Sequence, residues 1–144
     1  MARIQIVLSE ETAAAVQARG NSSEAGRVCL ERYFALLERG LAEARNTLTV
    51  AEVSLLCDIC NGKIFGPHTL LYLSVEAEDA EDGYFDKWSV DRAALVGKLQ
   101  RMSAVAIAAT VDAIERFWRA ASTGMTVPFT TVLGADPEPP VRPA

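Results

Sequence analysis

Apolar and polar positions alternate at the very start of this chain. From Arg3 to Leu8, Ile4, Ile6 and Leu8 fall on one side and Arg3, Gln5 and Val7 on the other, the period of a strand with one buried and one free face. After Leu8 the spacing becomes helical. Ser9 is placed to cap a short helix whose opening turn carries Glu10 and Glu11, where carboxylates complement the helix dipole, and Gly20 ends it. Asn21-Ser22-Ser23-Glu24 has capping-box spacing, with Asn21 as the cap, so a second helix starts there. Ala25, Val28, Cys29, Leu30, Tyr33, Leu36 and Leu37 give that helix an apolar stripe.

A lone strand cannot satisfy its own backbone N–H and C=O groups, and no second strand with clear alternation lies near it in the sequence. The simplest partner is the same strand of a second copy. Paired antiparallel about a two-fold axis, the two would form a ribbon with Arg3, Gln5 and Val7 of each copy on its outer face. A ribbon of this kind fits the major groove of B-DNA.

The order of strand, Ser cap, short helix, Gly and then SSEAGRVCLERYF resembles the MetJ/Arc ribbon-helix-helix family over roughly the first third of the chain. That resemblance implies an intertwined homodimer that binds double-stranded operator DNA. It implies base contacts from Arg3, Gln5 and Val7, and phosphate contacts from Asn21, Ser22 and Ser23, where backbone N–H groups at a helix start form an anion site. The first helix is shorter than is usual in the family, and Val7 is apolar at a position that is more often polar.

Further along, Gly40 to Thr47 reads as a continuation of the second helix or as a hinge. Thr49 and Glu52 have capping-box spacing, opening a helix with Val50, Val53, Leu56, Cys57 and Cys60 as its stripe and Asn61-Gly62 as its close. Pro67 can open another, with a dense apolar segment from Thr69 to Ala77. The acidic run at Glu76, Glu78, Asp79, Glu81 and Asp82 reads as a solvated helix end or loop. Tyr84, Phe85 and Trp88 form an aromatic cluster before a helix from Val90 to Met102, with Ser89 as its expected cap. Ser103 caps a last helix, to about Ala121, that is apolar nearly all round its first half. Val127 to Leu133 reads as a short extended segment, and the four prolines between Asp136 and Ala144 predict a disordered tail.

Charge weighs against nucleic acid in one part of the chain only. The whole carries 14 Lys and Arg against 19 Asp and Glu, net -5. Through Arg45, arginines at 3, 19, 27, 32, 39 and 45 balance glutamates at 10, 11, 24, 31, 38 and 43, so the acidity belongs to the remainder. A neutral module binds DNA if its arginines face phosphates, with strong salt dependence. No apolar run is long enough to span a bilayer and the N-terminus has no signal-peptide pattern, so no membrane association and a cytoplasmic location are expected.

Cys57 and Cys60 have CxxC spacing, which elsewhere binds zinc or cycles as a redox pair. Here the pair lies within a helical pattern, with only His68 as a nearby further ligand, so buried reduced cysteines are expected and no metal or other cofactor. The sequence has no catalytic constellation, and enzyme activity is not expected.

The expected fold is therefore mainly α. A ribbon-helix-helix module at 1–45, one strand plus two helices in an intertwined dimer, precedes a helical bundle at 46–122 for oligomerisation or an effector, and a Pro-rich, largely disordered tail at 123–144. The expected function is a sequence-specific transcriptional repressor, of which an antitoxin is one variety. In the alternative, the ribbon only dimerises and the acidic helical part binds a protein partner.

Overall fold

The computed structural model describes residues 5–61, 73–124 and 132–133, the side chain of Ser22 excepted. They are mainly helical: α1 (Glu10–Gln17), α2 (Ser22–Thr47), α3 (Val50–Ile59), α4 (Leu73–Asp79), α5 (Asp82–Trp88), α6 (Arg92–Arg101) and α7 (Ala104–Ser122). The chain packs as two units, Met1–Leu36 and Leu37–Ala144, and the division falls inside α2. Gly40 to Thr47 is thus a continuation of the second helix and not a hinge.

In the first unit, the expected strand is not seen. Gln5 to Ser9 lie in neither helix nor strand. A strand is defined by its ladder, and no described segment of the chain forms one with these residues. The helices follow the sequence signals. Ser9 adopts an extended conformation and its hydroxyl accepts from the Thr12 N–H at 3.2 Å, closing the start of α1. Gly20, with φ +116°, makes the turn that follows, a backbone region costly for any residue with a Cβ. The Asn21 Oδ1 then accepts from the N–H groups of Ser23 at 3.1 Å and Glu24 at 3.3 Å, capping α2.

The second unit holds a contiguous core. The later part of α2 supplies Ala44, α3 supplies Val53, Leu55, Leu56, Cys57 and Ile59, and α4, α5, α6 and α7 add Leu73, Phe85, Leu95, Leu99, Ile114 and Phe117. Enclosing a side chain such as Leu55, Leu56 or Leu95 is worth about 1.5–3 kcal/mol each. Gly40 marks a close approach of α2 to α7, since a Cβ there would fall on the Val105 carbonyl and within 2.8 Å of the Ala109 methyl.

Polar ties fix the short helices. Thr49 and Glu52 form the full capping box of α3, and the buried Glu52 carboxylate also receives the Lys98 ammonium at 2.7 Å, joining α3 to α6. One oxygen of Asp58 accepts from Lys87 at 2.8 Å and from the Trp88 indole at 2.6 Å, joining α3 to α5. The Arg92 guanidinium donates to the carbonyls of Glu78 and Ala80, each at 2.6 Å, closing the end of α4, while lying 4.2 Å over the Phe85 ring. The Trp118 indole donates to the Cys57 carbonyl at 2.9 Å, joining α7 to α3.

Ser103 caps α7 as expected, its hydroxyl accepting from Ala106. The cap of α6 is Asp91 and not Ser89, which instead closes α5 in a left-handed conformation, φ 53°. The expected helix from Val90 accordingly starts at Arg92, and the aromatic cluster belongs to α5. Within 123–144, Val132 and Leu133 are buried in the core, with the Leu133 carbonyl accepting from Arg45 Nε at 2.7 Å. Pro67, His68 and the residues from Asp136 onward lie outside the described residues. Among those described, no single helix is long and apolar enough to cross a membrane.

Candidate nucleic-acid interface

The first unit is built unlike the second. Among its described side chains Ala25 alone is buried, whereas Ile6, Val7, Leu8, Leu30, Tyr33, Phe34 and Leu36 are all exposed large apolar groups. Leaving so much apolar surface in water runs against the main driving force of folding. Several of these residues converge. Ile6 and Leu8, Ala13 and Val16 of α1, and Cys29, Leu30 and Tyr33 of α2 line an open cleft of about 760 Å³.

Gln5 and Val7 are exposed and do not line that cleft, Val7 at 99% of its full accessibility. All four described residues before Ser9 are exposed, and of them Ile6 and Leu8 line the cleft whereas Gln5 and Val7 do not. Arg3, the remaining expected base-contacting residue, lies outside the described residues.

The expected phosphate-contacting residues meet at the start of α2. Asn21 and Ser23 are exposed, and Ser22 is the first residue of the helix. The Asn21 side chain already occupies the N–H groups of Ser23 and Glu24, so an incoming phosphate oxygen would have to displace it or bind beside it.

Two features of local charge were missed in the sequence. Arg27 is held by Glu24 and, at 2.7 Å, by Glu31. The hydrogen bond from Arg27, and then its charge, keeps the Glu24 carboxyl below its ordinary range, and both carboxylates hold the guanidinium protonated more firmly than usual. Arg27 is thereby paired on the exposed surface of α2, and its spacing from Glu24 and Glu31, three and four residues along a helix, is the signal that could have revealed the pairing. Arg19 is exposed in the turn between α1 and α2, two residues before Asn21, and donates to the Ala15 carbonyl. It is the nearest cation in sequence to the expected phosphate site.

Among the described residues the other candidate chemistry does not assemble. Cys57 and Cys60 are buried at the end of α3, and burial pushes the Cys57 thiol up to about 12, so it is a neutral, unreactive group. No group of three or more metal-ligating side chains comes together among the described residues. The acidic run divides between α4 and α5, with Glu78, Asp79 and Glu81 exposed and Asp82 paired to Arg92.

Compared with protein-family models, with curated proteins and with solved structures, the chain has no match.

Proposed function

We propose that this protein is a sequence-specific DNA-binding repressor that works as a homodimer. The segment around Gln5 to Leu8 pairs with its counterpart in a second copy, the apolar cleft closes over that copy, and the resulting ribbon enters the major groove. Arg3, Gln5 and Val7 face bases, and the start of α2 with Arg19 faces phosphates. The observation that carries this is the division of side chains before Ser9: Ile6 and Leu8 line the cleft while Gln5 and Val7 stand away from it. The first unit carries no net charge, with arginines at 3, 19, 27 and 32 against glutamates at 10, 11, 24 and 31, so two copies can meet without repulsion. Its uncovered apolar residues supply the contact.

Arg3→Ala and Gln5→Ala test the assignment. A side chain bidentate to guanine or adenine contributes about 1–3 kcal/mol, so each change weakens binding to the operator by that amount and leaves the dimer intact. Unchanged affinity in both variants would remove the ribbon from base reading.

A second reading is favoured by one observation, the pairing of Arg27, a cation near the start of α2, with two glutamates. In it the paired segments serve only as a dimer clasp, and the exposed acids of α4 and the turn after it bind a basic protein. Charge reversal of Glu78, Asp79 and Glu81 would then abolish partner capture without affecting any DNA binding.

A further inference from the structure

Val7 differs from the other candidate base-facing residues in having no hydrogen-bonding group. It cannot use the donor and acceptor pattern that distinguishes base pairs in the major groove. It is also the most exposed large apolar residue described, at 99%, between Ile6 at 55% and Leu8 at 42%, both of which line the apolar cleft. Closing that cleft with a second copy covers Ile6 and Leu8 and leaves Val7 in water. What would cover it must come from the other side of the segment, where Gln5 is also exposed.

On the floor of the major groove of unmodified DNA the one apolar group is the thymine 5-methyl. Set against cytosine N4 or guanine O6, the isopropyl group of Val7 would displace water from a polar atom and return no hydrogen bond, which is unfavourable. Set against a thymine methyl, both groups leave water together. We infer that Val7 is the specificity-determining residue for thymine at its position in each half of the bound site, reading the base by its carbon-5 methyl group alone. This rests on the DNA-binding reading above, and it assigns one base of the site from one side chain.

The test uses the full-length protein and the DNA upstream of its own gene, amplified with dTTP or with dUTP in its place. The second product, made from primers that also carry uracil for thymine, lacks every thymine methyl and keeps every hydrogen-bonding group. Amplified DNA carries no 5-methylcytosine, so any loss reports thymine. An unrelated fragment of equal length, made both ways, gives the non-specific background.

Burying one methyl is worth about fourfold in affinity, and the two copies in a dimer together make this roughly 15-fold. Wild type is expected to lose that factor on the uracil fragment. Val7→Ala, whose single methyl stops one carbon short of the reach of the isopropyl group, is expected to bind both forms nearly alike, near the affinity of wild type for the uracil form. Because Val7 touches so little of its own chain, the variant keeps its helices, which circular dichroism verifies. If wild type prefers the upstream fragment yet binds its thymine and uracil forms equally, thymine reading is overturned and DNA binding stands. If Val7→Ala loses as much as wild type on going to uracil, the methyl is read elsewhere and the inference is again overturned. If wild type shows no preference for the upstream fragment in either form, the DNA-binding reading fails, and thymine reading with it.

Discussion

Leu30 offers the sharpest test of whether the first unit is completed by a second copy. It lines the apolar cleft and is 43% exposed in the single chain. Full burial of a leucine is worth about 1.5–3 kcal/mol, so covering its exposed share contributes on the order of 1 kcal/mol per copy. Truncation to alanine in a close-packed interface also leaves a cavity, raising the loss to roughly 1.5 kcal/mol per copy. A symmetric dimer carries the change twice, for about 3 kcal/mol, on the order of a hundredfold in the dissociation constant. Sedimentation equilibrium over a range of protein concentrations measures that constant directly. Val50→Ala is the control, since Val50 is exposed to a greater degree, at 56%, but lies in the second unit. It should leave self-association unchanged. A Leu30→Ala protein that associates as tightly as wild type, or a wild type that is monomeric throughout the range, would refute dimerisation through this cleft.

Further outcomes follow from the second unit. Lys98→Ala leaves the Glu52 carboxylate, 5% exposed, without its ion partner, and should lower stability by about 2–3 kcal/mol in urea unfolding; an unchanged midpoint would show that the capping bonds alone satisfy Glu52. Gly40→Ala places a methyl on the Val105 carbonyl and must push α2 from α7, at roughly 1–3 kcal/mol, read as a lower thermal midpoint. With its pKa raised by burial to about 12, the Cys57 thiol is ionised to only about one part in ten thousand at pH 8, so Cys57 should resist alkylation until denaturant is added. Mass spectrometry of the treated native protein checks this, and rapid labelling of Cys57 would contradict its enclosure.

Legibility in the sequence tracked how local each interaction is. The caps at Ser9, Asn21, Thr49 and Ser103 could be read because a cap needs only a short polar side chain and a following helical turn, and each one forms. Ser89 was misread because α5 ahead of it is short and buries only Phe85, leaving no periodic stripe to show that a helix ends there. Asp91, the actual cap of α6, became identifiable only once α5 was in place. Ties such as Lys98 to Glu52 and Arg45 to the Leu133 carbonyl join residues far apart in the chain, and no spacing rule foretells them. In the candidate site, period two separates Ile6 and Leu8, which line the cleft, from Gln5 and Val7, which do not. The expected strand is not seen among the described residues, and its pairing with a second copy belongs to the proposal.

Titration of DNA from upstream of the protein's own gene against an unrelated fragment of equal length, at low and at physiological salt, tests sequence-specific binding most directly. A base-reading ribbon gives preferential binding that survives physiological salt, because base contacts add to the salt-sensitive phosphate contacts. Equal, weak binding to both fragments that vanishes as salt is raised would contradict it and leave the paired segments as a dimer clasp alone.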